Sequence, residues 1–242
     1  TLVTDVSNLG TDTGIVNFVG RYLKKDPRKA YRFLKLGLKV KIFAWALVLI
    51  LGWSLAPLIS VSIFKKPELT DLLRISFVGV GGALLFSYSA SLLQSFQKFF
   101  YWSVLFVSTN TLRLIIILIL ASSALLNSES TLISYIAVTF LGFLTLLIFM
   151  PRKILRVQNE GGIAKEFFHY NKWVAAFGLV AAVGARLDIF ISARLLTATE
   201  VGIYSAANQL VQIIPQIIAA IATVIAPKMA AQDSLEKFIS YL

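Results

Sequence analysis

The chain consists mainly of apolar blocks that are each about as long as a lipid bilayer is thick. A helix that crosses a membrane needs about 20 mostly apolar residues. Hydrophobic residue types make up 57% of the 242 residues and only 14% are charged, whereas a soluble domain is usually about 45–50% apolar and about 25% charged. The sequence therefore predicts an all-α integral membrane protein, a polytopic helical bundle of six full spans plus the end of a seventh at residues 1–20. The six spans fall at residues 40–62, 73–94, 99–126, 131–150, 170–196 and 200–227.

Lys and Arg collect in alternate linkers between these spans. Residues 21–41 hold nine Lys or Arg and residues 151–172 hold five, whereas the linkers 127–130 and 197–200 hold none. Because cytoplasmic loops are enriched in Lys and Arg, the pattern predicts a multi-pass protein of the cytoplasmic (inner) membrane with both basic linkers in the cytoplasm. This bias, strengthened by contact with anionic membrane lipids, explains the net charge of +11 without a nucleic-acid partner.

The first basic linker has the pattern of an amphipathic helix at the membrane interface. Asp26 is placed to cap the helix and Pro27 to be its first residue. Tyr31, Leu34 and Leu38 then share one face, with the basic residues on the others. The sequence favours a solvated or lipid-facing helix here over a specific partner site.

Arg113 lies close to the middle of the predicted span 99–126, with Asn110 one turn earlier on the same face. A central arginine costs roughly 2.5–3.5 kcal/mol on insertion scales. Two interpretations are open: a structural arginine that pairs with a neighbouring helix or reaches an interface, and a positive wall of a water-filled cavity. The same two interpretations apply to Arg186 and Asp188. These residues are two positions apart, so they lie on different faces of a helix and cannot pair with each other.

The last predicted span carries a polar stripe with a period of four residues, formed by Tyr204, Asn208, Gln212 and Gln216. Single amides in membranes often hold helices together. Four polar side chains in register favour the wall of a hydrophilic cavity, although helix association stays open. Pro215 is expected to bend this helix. The predicted cavity-lining, substrate-binding residues are Arg113, Arg186, Asp188, Tyr204, Asn208 and Gln212.

Catalytic chemistry has little support in the sequence. The chain has no cysteine and a single histidine, His169, so a thiol nucleophile, a thiolate metal site and a histidine cluster are not expected. No nucleophile–base pair is visible. We predict a protein that is not an enzyme, with no catalytic residues, no bound metal and no cofactor. The first residue, Thr1, and the abrupt end at "SLEKFISYL" suggest part of a longer membrane protein.

Three stretches resemble the polysaccharide (O-antigen-type) flippases of the multidrug/oligosaccharidyl-lipid/polysaccharide exporter superfamily. "LDIFISARLLTATEVGIYSAANQLVQIIPQIIAAIATVIAPKMA" is similar to their seventh and eighth helices, with the pattern Asp188, "EVG-YS-A" from Glu200, and Thr223 to Pro227. "VTDVSNLGTDTGIVNFVGRYLKK" resembles the end of their second helix. "LLQSFQKFFYWSVLFVSTNTLRLIIILIL" resembles the passage from the fourth helix to the fifth. The resemblance covers essentially the whole chain, as helices two to eight.

This resemblance implies a two-lobe fold around a cationic cavity that receives a polyprenyl-diphosphate-linked oligosaccharide. It places an N-terminal lobe at 1–160, with the basic linker 21–41, and the start of the C-terminal lobe at 161–242, after the pair Gly161 and Gly162. Guanidinium groups would bind diphosphate, and amides and Tyr204 would bind sugar hydroxyls. Other polysaccharide assembly proteins are possible partners.

Two differences between this sequence and related branches of the superfamily narrow the expected substrate class. The sequence Ala207–Leu210 lacks the arginine that lipid II flippases are expected to carry there, which argues against lipid II. A cation-coupled multidrug antiporter needs acidic walls, and its candidates here are Asp5, Asp12 and Asp188. The antiporter is the second hypothesis, and a membrane scaffold that transports nothing is the third.

Overall fold

The computed structural model describes residues 2–151, 153–158, 161–185 and 187–218, and all regular elements in these ranges are helical. The chain divides into two compact units, Thr1–Arg186 and Leu187–Leu242. The predicted lobe boundary at residue 161 stays a prediction. The helices are α1 (Leu2–Ser7), α2 (Thr11–Tyr22), α3 (Pro27–Leu58), α4 (Leu69–Ser95), α5 (Phe99–Ser122), α6 (Ser128–Phe149), α7 (Lys153–Arg156), α8 (Ile163–Gly184), α9 (Leu187–Leu195) and α10 (Ala198–Val211).

Five of the helical segments in the described ranges are long and apolar enough to cross a membrane. They overlap five of the six predicted spans, and the chain is a multi-pass membrane protein. The sixth, 200–227, extends past residue 218 and therefore lies partly outside the described residues. The five segments are Pro27–Ile63, Leu69–Ser95, Phe99–Ser122, Ser128–Leu147 and Ile163–Leu195.

The predicted interfacial helix is not a separate element. Asp26 caps α3 by accepting a hydrogen bond from the backbone N–H of Lys29 at 3.1 Å, and Pro27 is the first helical residue, as predicted. The helix then continues without a break from the basic linker into the span, up to a π-helical turn at Ile59–Ile63 that follows Pro57. The predicted apolar face faces protein rather than lipid, since Leu34 is fully buried.

Residues 1–20, predicted as the end of a seventh span, are helical but interrupted, and whether they belong to a membrane span stays a prediction. Helix α1 stops at Ser7, and both Leu9 (φ 49°) and Gly10 (φ 67°) have left-handed backbone conformations. A Cβ atom on Gly10 would also lie 2.9 Å from the side chain of Val174 in α8. Glycine therefore satisfies both the backbone conformation and the close approach of α8.

Helix α4 is the central element of the first unit and packs against α2, α3, α5 and α6. Its small residues make this close packing possible. Gly81 faces the indole ring of Trp45 in α3, and Gly82 faces the ring of Phe140 in α6. At the basic end of the unit, the stacked rings of Phe18 and Phe33 lie 4.4 Å apart and join α2 to α3.

Candidate functional site

A buried lysine lies at the centre of a polar network inside the first unit. The side chain of Lys41 is fully shielded by protein. Its ammonium group forms an ion pair with the Asp12 carboxylate at 2.7 Å and donates to Asn8 Oδ1 at 2.8 Å and to Ser87 Oγ at 2.6 Å. An ammonium group has three N–H donors, so all three are satisfied. The network joins the α1–α2 junction to α3 and α4.

The carboxylate of Asp12 is held by more than the lysine. Asn8 Nδ2 donates to Asp12 Oδ2 at 2.6 Å, and the Ser91 hydroxyl donates to Oδ1 at 2.7 Å. Asn8 reaches both charges because the chain turns at Leu9 and Gly10. The interruption between α1 and α2 is therefore the element that assembles this site.

The network lies inside the bundle and not at its basic end. Asp12 is ten residues from the end of α2 at Tyr22, and Lys41 is fourteen residues from the start of α3 at Pro27. At a rise of 1.5 Å per residue these offsets correspond to about 15 and 21 Å. Opposite charges attract strongly in such a poorly solvated place, and the pair is net neutral.

Sequence reasoning missed this site because Lys41 was counted among the charges of the cytoplasmic linker. A signal was present in the spacing of small and apolar residues on α3. Ala30, Leu34, Gly37, Lys41 and Ala44 follow at intervals of four and three residues, which places them on one helix face, and all five are buried. A lysine on a buried face requires a partner.

Arg113, a predicted site residue, is half-buried between α5 and α6. One terminal nitrogen donates to the Thr139 hydroxyl at 2.7 Å, and the other donates to the Asn110 side-chain oxygen at 3.2 Å. Its guanidinium carbon lies 3.8 Å from the centre of the Tyr135 ring, in cation–π geometry. The helix-pairing interpretation thus has direct contacts, and whether a water-filled cavity also reaches this side chain stays a prediction.

The charge of Arg113 is not neutralised by any carboxylate of the described residues. Its Nε–H group is buried and has no hydrogen-bond partner there. This differs from Lys41, which has three acceptors, one of them a carboxylate. Arg113 therefore carries a net positive charge inside a membrane-spanning segment.

The second unit contains two of the remaining predicted site residues on α10 (Tyr204 and Asn208), one directly after its end (Gln212) and one on α9 (Asp188). The Tyr204 hydroxyl donates to Asp188 Oδ2 at 2.6 Å, which joins the two helices. Tyr204 and Gln212 are exposed and Asn208 is half-buried. Sequence analysis placed these residues on one stripe without predicting the Asp188–Tyr204 bond. Arg186 lies outside the described residues.

The ends of α10 follow from local sequence. Thr197 and Glu200 form a reciprocal capping box at its start. The helix ends at Val211, four residues before Pro215, because proline has no N–H to donate to that carbonyl. The helical pattern is interrupted at Gln212, which is a turn residue, and resumes over residues 213–218. The predicted bend at Pro215 stays a prediction.

The described residues contain no group of three or more His, Asp or Glu side chains that could hold a metal ion.

The described residues form a multi-pass, all-helical membrane protein with charged side chains inside its spans. The chain belongs to a family of polysaccharide biosynthesis proteins, since the family model of that description matches residues 1–240. This confirms the resemblance to the polysaccharide flippase type. No curated protein and no solved structure matches the chain.

Proposed function

We propose that the protein is a flippase that moves polyprenyl-diphosphate-linked oligosaccharide units across the cytoplasmic membrane for polysaccharide export. The single observation that carries the proposal is the net charge of Arg113 inside α5, beside α6 and without a carboxylate partner in the described residues. Membership in the polysaccharide biosynthesis family indicates a glycan pathway. A guanidinium group inside a span is suited to a diphosphate because it offers several N–H donors in a fixed plane.

The other predicted residues take matching roles in this proposal. Arg186 is a second cation for the diphosphate. Tyr204, Asn208 and Gln212 offer hydroxyl and amide groups to sugar hydroxyls, and Asp188 orients Tyr204 through their hydrogen bond. Binding and release of the lipid-linked unit involve no covalent step, so the proposal includes neither catalysis nor a cofactor.

A cation-coupled antiporter has less support from the contacts. Such a protein needs carboxylates that are available to a cation. The carboxylate of Asp12 is already paired with the ammonium group of Lys41. That of Asp188 is bonded to the Tyr204 hydroxyl.

The proposal is tested with the full-length protein in liposomes that contain a fluorescent polyprenyl-diphosphate oligosaccharide. An impermeant quencher measures how fast the labelled lipid appears in the outer leaflet. We expect rapid appearance with the wild-type protein and a loss of about tenfold or more with Arg113→Leu, because removing one charge-assisted contact to a phosphate costs about 1.5–3 kcal/mol. Arg113→Lys keeps the charge and should retain part of the rate.

The matched control is Leu114→Ala, which alters an exposed apolar side chain on the same helix. It should leave the rate unchanged. If both the wild-type protein and the control are folded but neither moves the lipid, the result favours the hypothesis of a membrane scaffold that transports nothing. If a cationic dye moves under an ion gradient instead, the antiporter hypothesis replaces the flippase.

A further inference from the structure

A cluster of basic side chains surrounds an open cavity at the basic end of the first unit. The cavity has a volume of about 650 Å³, and the described residues that line it include Tyr31 but no Asp or Glu. The basic residues come from two parts of the chain that are more than 100 residues apart. They are Arg28 and Arg32 at the start of α3, and Lys153 and Arg156 in α7.

Specific contacts hold the two segments together. Arg32 Nε donates to the carbonyl of Gln158 at 3.1 Å, and Lys35 Nζ donates to the carbonyl of Val157 at 2.7 Å. Ile154 of α7 is fully buried in the core that contains Phe33. The position of α7 against α3 is therefore fixed by packing and hydrogen bonds.

Three of the four cations have no ion-pair partner within the described part of the chain. No carboxylate among the described residues pairs with Arg28, Lys153 or Arg156. Nearby acids are used elsewhere: Glu166, for example, pairs with Lys29 at 2.9 Å. Like charges that converge on one concave surface repel each other unless an anion lies between them.

The depth of the cavity can be read from neighbouring helices. The Tyr88 hydroxyl of α4 donates to the Leu34 carbonyl of α3, so the two helices are in contact at these residues. Arg28 lies six residues before Leu34, and α4 ends at Ser95, seven residues after Tyr88. Both offsets correspond to about 10 Å in the same direction.

An exposed tyrosine marks this level as the membrane interface. In the first turn of α5, shortly after the end of α4, the side chain of Tyr101 is 45% exposed. Tyrosine is enriched in the headgroup layer of membranes because its ring is apolar and its hydroxyl group is polar. On the other side of the cavity, Lys153 follows the apolar helix α6 after only three residues.

We propose that this cavity binds the phosphate of an anionic phospholipid headgroup from the leaflet on the basic side of the membrane. Arg28 and Arg156 bind the phosphate oxygens through their guanidinium groups, and Lys153 contributes a third positive charge. Basic pockets at the cytoplasmic ends of membrane helices are a known type of headgroup site. The bound lipid fastens α7 to α3, and it is distinct from the lipid-linked glycan of the proposed transport.

The test measures binding of fluorescent phosphatidylglycerol to the full-length protein in detergent. The double variant Arg28→Gln/Arg156→Gln removes two cavity cations but leaves the Arg32 and Lys35 bonds intact. The matched control, Lys24→Gln/Lys25→Gln, removes two exposed charges of the same linker that do not line the cavity. We expect the cavity variant to weaken saturable binding about tenfold or more and the control to change it less than about twofold.

Two competitors identify the source of the phosphate group. Unlabelled phosphatidylglycerol should displace the probe, whereas phosphatidylcholine and 10 mM inorganic phosphate, used at roughly physiological ionic strength, should not. The variant Arg28→Lys/Arg156→Lys should restore most of the binding, which separates loss of charge from misfolding. Equal losses in the cavity and control variants, displacement by free phosphate, or tight binding of polyprenyl diphosphate without phosphatidylglycerol would each overturn the proposal.

Discussion

The ammonium group of Lys41 and the carboxylate of Asp12 form an ion pair of 2.7 Å, but the two partners differ in their access to solvent. The lysine side chain is 0% exposed, whereas the aspartate side chain is 27% exposed. The energetic consequences of removing either partner should therefore differ, which gives the first prediction.

Asp12→Ala is expected to destabilise the protein more than Lys41→Met. Loss of the carboxylate leaves a buried ammonium without a counter-charge, and such a loss typically costs about 3–5 kcal/mol. Loss of the lysine leaves a carboxylate that keeps its bonds to Asn8 and Ser91 and part of its solvent access. The measurement is the thermal unfolding midpoint of the purified protein in detergent.

Two further variants complete this comparison. Asp12→Asn/Lys41→Met should recover stability relative to Asp12→Ala, since neither charge remains. Lys39→Met, on the exposed side of the same helix, should have little effect. An equal midpoint for Asp12→Ala and Lys39→Met would show that the buried pair does not stabilise the fold.

Arg113 and Tyr135 should be energetically coupled. The short distance between the guanidinium and the ring places a cation–π contact between α5 and α6. A double-mutant cycle with Arg113→Leu and Tyr135→Leu should give a coupling of about 0.5–2 kcal/mol in equilibrium unfolding. As a control, Phe100→Leu alters an exposed aromatic residue of α5 and should be additive with Arg113→Leu. If the stability effects of Arg113→Leu and Tyr135→Leu were additive as well, the cation–π contact would be contradicted.

Two Gly→Ala substitutions should have opposite effects on stability. A Cβ atom on Gly81 would overlap the indole ring of Trp45, which cannot bend away. Overpacking of this kind costs about 1–3 kcal/mol, so Gly81→Ala should lower the thermal midpoint. Gly20→Ala meets no neighbour within 4 Å, and it should raise stability by up to about 1 kcal/mol because alanine favours the helix. A higher midpoint for Gly81→Ala would disprove the close approach of α3 and α4.

The polar stripe that begins at Tyr204 should react with a membrane-impermeant thiol reagent in full-length protein. Tyr204→Cys, Asn208→Cys and Gln212→Cys are the test positions, and the absence of native cysteine from this chain keeps the background low. Leu210→Cys is the control, because Leu210 is 70% exposed and faces away from Asn208 around the helix. Labelling of the stripe alone indicates a water-filled cavity. If none of the four cysteines reacted, the stripe would not belong to the proposed binding site.

The apolar blocks determined the fold class and the position of five spans, because length and hydropathy decide which helices fit a bilayer. Local signals were also sufficient for the cap at Asp26 and the start of α3 at Pro27. In each of these cases the deciding interaction lies within one turn of helix. The two basic linkers, predicted on the same side, indeed meet through Arg32 and Lys35.

Only the tertiary structure decided which charges are buried and with which partners. Lys41 resembles the other basic residues of its linker in sequence, and it becomes a buried residue only because α3 packs its small-residue face against α4. Its partner Asp12 comes from a different helix, and Asn8 reaches the pair because the chain is interrupted at Leu9 and Gly10. Arg113 likewise finds its partner Thr139 on a different helix. Helix periodicity reports which residues share a face, but the neighbour of that face is set by packing between segments far apart in the chain.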